Sequence, residues 1–233
     1  MFYHDKMADV INILTQRRSV RAFTDAPVPR ETLARICTAA RSAPSGANLQ
    51  PGKFHVLAGD ELTGLKSRLA QAVSDGAPIE SEYSYFPADM SPTLKNRQRA
   101  AGFALYDALG IGRRDVAARR ANFDRNYRFF DAPVGIVVTI DRGMGKGCFM
   151  DLGLSLMSLF LAAEAEGLGS SGIGALANFG SVVHGHLGLP ADEMVVCGVA
   201  LGVADMAEPV NQFRTARAQL ADFTSFRGFD SEQ

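Results

Sequence analysis

Apolar positions along the chain alternate between spacings of about 3.6 and 2 residues, the pattern of helices interleaved with strands. Val10, Ile11, Ile13 and Leu14 predict an amphipathic helix that breaks at Arg17-Arg18. The span 29–42 predicts a second helix, with Pro29 near its start and Leu33, Ile36 and Cys37 on one face. Residues 53–58 alternate as a short strand, and 61–73, 94–109 and 115–127 return to helical spacing. After Ala132-Pro133, the β-branched run 134–140 predicts a strand, and two more follow at 168–173 and 193–203. The stretch 149–163 is apolar nearly all round, which calls for burial on every side, in the core or against a second copy. Asp151 and Glu164 bracket fewer than the about 20 apolar residues of a membrane span.

Two segments break the pattern. In 74–92, Gly76, Pro78, Pro87 and Pro92 interrupt any period while Tyr83, Tyr85 and Phe86 supply aromatics. A loop of that length is either a lid or a surface excursion without chemistry. From 205 to 233 the chain is a mixed polar and aromatic extension with Phe213, Phe223, Phe226 and Phe229 irregularly spaced, so it should wrap over something that covers them.

A chain of 233 residues suits one substantial core, and we read 1–233 as a single domain. A net charge of −1 gives no global attraction for nucleic acid or an anionic membrane. The N-terminus, Met1-Phe2-Tyr3-His4-Asp5-Lys6, lacks the cationic start and apolar run of a signal peptide, so a cytoplasmic protein is expected. Cys37, Cys148 and Cys197 lie far apart in apolar surroundings and read as reduced core thiols. His184 and His186 have no third ligand nearby, so no metal is expected. Gly167 to Gly172 matches GxGxxG, but helix-like residues precede it and strand-like residues overlap its end, the reverse of a dinucleotide motif. The arginines of 113–128 read as a solvated helix face or as a docking site for a nicotinamide-cofactor phosphate.

Candidate chemistry concentrates in two short segments. Arg17-Arg18-Ser19-Val20-Arg21 places three guanidinium groups within five residues beside a serine, which suits a phosphate. Ala43-Pro44-Ser45-Gly46-Ala47-Asn48-Leu49-Gln50-Pro51 is a small-residue turn that lets backbone approach a flat ligand. These two, followed in order by Asp131-Ala132-Pro133, Gly167-Leu168 to Ala175, Cys197 to Gly202 and Arg217, resemble the nitroreductase family of flavin mononucleotide (FMN) oxidoreductases.

The resemblance implies an α+β fold of three layers, α/β/α, with a mixed central sheet flanked by helices. It also implies an intertwined homodimer whose C-terminal tail reaches the partner. By the same resemblance Arg17 and Ser19 hold the flavin phosphate with Arg18 and Arg217, and Arg214 is a further candidate. Arg21 reaches the ring where negative charge accumulates, and Gly172, Ile173 and Gly174 run past the ring face. Pro44, Ser45 and Gly46 approach from the neighbouring subunit, and Asn48 and Gln50 match the motif, with a turn role open for each. Many members carry tryptophan where this chain has Gly52, and some a lysine where it has Thr215. NAD(P)H is the implied electron donor and a nitroaromatic or quinone the acceptor, the two using one pocket in turn. Tyr83, Tyr85 and Phe86 would help enclose that acceptor. Reductive dehalogenation, enone reduction, flavin fragmentation and a low-turnover redox sensor are the alternatives within the same fold.

Overall fold

The computed structural model describes residues 10–229 and is organised around four antiparallel strands in the order β1-β2-β4-β3. These are β1 (Lys53–Ala58), β2 (Val134–Asp141), β3 (Gly169–Ile173) and β4 (Glu193–Gly202). Parallel pairing enters the sheet through the bridge between Ser19 and Ser170, which lays the arginine-rich segment along the free edge of β3. Residues 1–9, on which the expectation about export rests, and 230–233, the end of the tail, lie outside the described residues.

The helices are α1 (residues 10–16), α2 (Arg30–Arg41), α3 (Gly59–Ser74), α4 (Pro92–Ala108), α5 (Val116–Asp124), α6 (Lys146–Ala165) and α7 (Gly180–Leu187). Strands β2 and β4 are almost wholly buried because both their faces are covered. On one face, Ile136, Val138 and Ile140 pack with Leu33 and Ile36 of α2 and Leu152 and Leu159 of α6. On the other, Val137 and Val195 pack with Leu62, Leu65 and Leu69 of α3 and Val183 of α7. The result is the three-layer arrangement, with α2, α3, α6 and α7 contributing apolar residues to the core, whereas α4 and α5 bury none.

Three differences from the sequence pattern have physical causes. Helix α6 is longer than 149–163 and, at 20 residues with a mean hydropathy of 1.5, is by length and composition long and apolar enough to cross a membrane. It instead lays Leu152, Ser155, Leu159 and Ala163 against α2 and the sheet, with the Ser155 hydroxyl donating to the Ala40 carbonyl at 2.8 Å. Burial on every side is not achieved within one chain, since Met150 and Leu154 stay exposed. Helix α7 carries no clear period in the sequence, having eight residues of which two are glycine. The helix expected over 115–127 stops at Asp124 and tightens into a 3-10 turn, Arg125–Asp131, in which Phe129, Phe130 and Asp131 all adopt left-handed φ (52°, 52° and 63°). Such backbone persists where packing over-determines it, and both phenylalanines are buried.

The loop between α3 and α4 has no helix or strand, yet it is strapped down. Asn178 takes two of its bonds: the Glu80 amide donates to the Asn178 carbonyl (3.0 Å) and the Ser81 hydroxyl to Asn178 Oδ1 (2.9 Å). Asn178 Nδ2 in turn donates to the Tyr127 hydroxyl (3.1 Å), and Glu82 pairs with Arg142. Tyr83 lies against Phe149 and donates its hydroxyl to the Val196 carbonyl at 2.6 Å, and burial pushes its phenol up to about 12. Replacing Asn178 with alanine keeps the backbone carbonyl that the Glu80 amide meets but removes the side-chain bonds to Ser81 and Tyr127, and should loosen the loop at this strap while leaving the sheet intact. Hydrogen exchange should accelerate at the 80–82 amides by about fivefold or more, the equivalent of about 1 kcal/mol of lost bonding. Unchanged protection at those amides would contradict the strap.

Glu193, buried at the start of β4, accepts hydrogen bonds from Thr139 Oγ1 (2.7 Å) and from Lys53, with His55 Nε2 at 3.2 Å. Burial alone would push its carboxyl up, but the bonds from Lys53, Thr139 and His55 outweigh burial and hold it below the usual carboxylate range. A carboxyl depressed in the folded state contributes stability above its unfolded pKa and loses it as pH falls through the folded value. Glu193→Gln should cost about 1–3 kcal/mol at neutral pH. Urea unfolding should show that gap narrowing between about pH 6 and about pH 3. A gap independent of pH would contradict the role of the charge.

Candidate functional site

Arg17, Arg18, Ser19 and Arg21 line a cleft of about 460 Å³ together with Arg214, Thr215 and Arg217 from the far end of the chain. Leu14, Met157 and Phe213 supply its apolar wall. The ends of the chain meet here because the backbone of residues 19–24 joins the sheet at two points. Val20 donates to the Ser170 carbonyl at 3.0 Å, and Phe23 bridges to Ala204 just past β4.

The cleft is strongly cationic and only partly satisfied. Burial lowers the Arg17 pKa, and the charges of Arg217 and Arg214 lower it further against a weaker opposing pull from Glu164. Arg17 Nε is buried with no hydrogen-bond partner among the described residues. Arg214 donates to the Thr15 and Gln16 carbonyls (2.7 and 2.5 Å), capping the C-terminus of α1 where orphan carbonyls attract cations. Thr215 accepts from Arg217 through its hydroxyl at 2.6 Å, which orients the arginine. Guanidiniums that repel one another and leave a buried N–H unpaired fit an anion with several acceptor oxygens, such as a phosphate monoester.

Residues that the sequence did not flag hold this cleft in shape. Asn211 is buried, and its Oδ1 accepts from the Arg21 amide (2.8 Å) while its Nδ2 donates to the Ala22 and Asp205 carbonyls (2.8 and 2.7 Å). Its own carbonyl accepts from Arg18 at 2.7 Å, which commits one end of that guanidinium. Arg125 donates to the Arg21 carbonyl at 2.8 Å, and both guanidiniums lie about 6 Å from the Phe130 ring (5.9 and 6.0 Å). The left-handed turn at 129–131 is what brings that ring beneath them. Burial lowers the Arg21 pKa, but a guanidinium stays protonated, so a fixed charge stands here.

The end of β3 continues the site. Met157 and Phe160 are three residues apart and share a face of α6; Met157 lines the cleft, while Phe160 touches the place where a side chain on Gly172 would begin. Gly172 is exposed, Ile173 is buried in the core, and Gly174 carries the Tyr85 ring directly on its backbone. A Cβ at Gly174 would come within 2.8 Å of that ring, so a side chain there would displace Tyr85 from its present place. Tyr85 and Phe86 are exposed and meet edge to face at 4.9 Å, whereas Tyr83 is committed to the Val196 carbonyl.

The Pro44–Asn48 turn lies elsewhere in the chain's own fold. The Ser45 hydroxyl accepts from the Gln50 amide (2.9 Å), the Gly46 amide donates to Asp151 Oδ2 (3.0 Å), and Asn48 is exposed with left-handed φ. Arg41, another residue the sequence did not single out, pins the turn by donating to the Gln50 and Gly52 carbonyls (2.6 and 2.7 Å). Gly52 has φ of 86°, and a Cβ there would meet Leu152 at 2.6 Å, which explains why no tryptophan stands at this position. Asp151 and Met157 are six residues apart on α6, about 9 Å along its axis. The structure therefore brings the arginines, Ser19 and Gly172–Gly174 to one region and leaves Pro44, Ser45, Gly46 and Asn48 in another. Of the two histidines, His186 donates through Nε2 to the Glu61 carbonyl (3.0 Å) at the α3–α7 contact.

Comparison with known proteins agrees with this architecture. The model of the nitroreductase family matches residues 14–203. The chain is 37% identical to a chloronitrobenzene nitroreductase of Comamonas testosteroni over 92% of its own length and 95% of that protein's. It is 36% identical to a 4-nitrobenzoate reductase of Pseudomonas putida, covering 94% and 95%. Among solved structures, the FMN and NADPH-dependent nitroreductase NfnB from Sphigopyxis sp. strain HMH superposes with a TM-score of 0.92 at 38% identity, covering 94% of this chain and 99% of that one. NfnB from Mycobacterium smegmatis, in complex with NADPH, superposes with a TM-score of 0.91 at 28% identity, covering 95% and 99%. With its sheet, cationic cleft and full-length similarity taken together, this chain belongs to the nitroreductase family.

Proposed function

We propose that this protein is an FMN-dependent nitroreductase that uses NADPH to reduce nitroaromatic compounds and works as a homodimer. The observation that carries the reading is the cleft in which guanidiniums from both ends of the chain crowd together and Arg17 Nε is left buried and unpaired. The similar proteins named above are FMN and NADPH-dependent nitroreductases or reductases of nitroaromatic compounds, which makes a flavin phosphate the natural occupant.

In this reading Arg17, Ser19 and Arg217 hold the phosphate, assisted by Arg18, while Arg214 secures the wall by capping α1. Gly172, Ile173 and Gly174 offer small-residue backbone to the ring face. When bound, the flavin supplies two-electron hydride chemistry, accepting from the nicotinamide and passing to the acceptor, which supports one pocket used in turn. Arg21 is a preorganised positive charge beside that region, and such a charge favours negative charge developing against it. Tyr85 and Phe86 close the outer side with apolar surface and exclude water, and Tyr83 sets their position through its bond to Val196. No dedicated base is needed, since solvent can deliver the protons.

What one copy leaves uncovered supports the dimer. Met150 and Leu154 of α6, Ile11 and Leu14 of α1, and Phe223, Phe226 and Phe229 of the tail are exposed in the single chain. A second copy would cover them and could bring the partner subunit's Pro44, Ser45, Gly46 and Asn48 to the flavin, which would resolve why that turn stands apart from the arginines within one chain.

Two measurements test this. Arg217→Ala should weaken FMN binding by about 10–100-fold, the value of one charge-assisted bond, and leave riboflavin, which lacks the phosphate, within about twofold. Equal losses for both ligands would remove the phosphate assignment. Light scattering of the intact protein should give about twice the 25.0 kDa chain mass, and truncation before Leu220 should lower it together with flavin content. A monomer that retains flavin would contradict the shared site.

A further inference from the structure

Positive charge is distributed unevenly in this chain. Between residues 92 and 128, the α4–α5 hairpin and its exit, nine lysines and arginines stand against three aspartates, in a protein whose net charge is −1. Part of this is neutralised locally: Arg120 pairs with Asp124 and Arg128 with Asp131, and Asp115 is occupied in capping α5 at the Ala118 amide. The rest divides between Lys95, Arg97 and Arg99 in the first half of α4 and Arg113, Arg114 and Arg119 near the tip of the hairpin, and only near the tip do guanidiniums lie over aromatic rings of the hairpin itself. The Arg113 guanidinium lies 4.5 Å over the Phe103 ring and Arg119 4.7 Å over Tyr106, and Arg119 also donates to the Arg113 carbonyl at 3.1 Å. Arg114 beside them is exposed, and among the described residues none of the three meets a carboxylate. An aromatic seat holds a guanidinium in place while leaving its N–H edge for an incoming anion, which a solvated surface arginine does not do.

The hairpin is also tied to the flavin cleft. At the inner end of α5, Arg125 donates to the Arg21 carbonyl, and α4 touches the Pro209–Asn211 turn that carries Asn211. Arg119 of α5 stands six residues before Arg125, about 9 Å along the helix axis, and Arg113 and Arg114 lie just beyond the far end of that nine-residue helix. A second cationic patch at that remove from the ring-facing Arg21 is placed for the distal half of an extended dinucleotide.

We propose that Arg113, Arg114 and Arg119 recognise the 2′-phosphate on the adenosine ribose of NADPH and so set the preference for NADPH over NADH. This inference rests on the reading of the protein as a nicotinamide-dependent flavoenzyme, and it adds the residues that select the nicotinamide. A 2′-phosphate is close to doubly charged at neutral pH and offers three acceptor oxygens, matching a cluster of guanidinium forks.

Calorimetry on the FMN-loaded protein with 2′,5′-ADP and 5′-AMP isolates that phosphate, because the two probes differ only by it. The native protein should prefer 2′,5′-ADP by at least about tenfold. Arg114→Gln, which removes an exposed guanidinium that makes no hydrogen bond or ion pair among the described residues, should reduce that preference several-fold, and Arg113→Ala with Arg119→Ala should abolish it. Steady-state kinetics should show the ratio of KM for NADPH to KM for NADH rising in parallel. Absence of a preference in the native protein, or its survival in both variants, overturns the proposal. Since the calorimetric readout needs no turnover, a protein that discriminates the probes but oxidises neither nicotinamide would contradict the functional reading alone. One that oxidises both equally and ignores the 2′-phosphate would contradict this inference alone.

Discussion

Uncompensated guanidinium charge in a half-buried cleft is the constraint on which the rest of the structure depends. Burial and the neighbouring charge of Arg217 lower the proton affinity of Arg17, Arg214 adds to this, and Glu164 offsets only part of it. Like charges brought together in reduced dielectric repel, so the arrangement persists only if the fold enforces it and a counter-anion relieves it. The enforcement is visible: the carbonyls at the end of α1 hold Arg214, Thr215 holds Arg217, and the Asn211 carbonyl holds Arg18. What these bonds leave over, including Arg17 Nε, suits a single multivalent acceptor such as the phosphate proposed above.

The same economy shapes the neighbourhood. The Phe129–Asp131 turn stores backbone strain of about 1–3 kcal/mol per residue, held by burial of both phenylalanines, and it delivers the Phe130 ring beneath Arg21 and Arg125. The loop carrying Tyr85 is fixed by Asn178, by Glu82 with Arg142 and by Tyr83, so the outer wall behaves as part of the scaffold. One chain builds the phosphate end and one wall, while its Pro44–Asn48 turn faces a different region. That division is the reason we regard the working unit as two copies.

The sheet was the most legible part of the sequence, and the reasons are local. The strand 53–58 coincides with β1, and 134–140 and 193–203 differ from β2 and β4 by one residue at the end, because burial on both faces leaves an uninterrupted apolar run with polar borders. Helix α7 was not legible, since two glycines in eight residues leave too little periodicity. Left-handed phenylalanines also carry no sequence signal, because burial rather than residue type stabilises them. Of the site, the arginines and Ser19 could be read from their clustering. Asn211, Asn178 and Arg41 could not, as each acts through bonds to backbone groups that only the folded chain places within reach. The arginines of 113–128 divide in a way composition could not foresee: two pair with aspartates, one supports Arg21, two near the hairpin tip sit on aromatic rings, and Arg114 beside them is exposed.

A crystal structure of the protein purified with FMN tests the central claim most directly. The account predicts two copies per assembly and a phosphate oxygen within hydrogen-bond distance of Arg17 Nε, with Arg217 on the same phosphate. A flavin phosphate held elsewhere, with Arg17 Nε still unpaired, would contradict it.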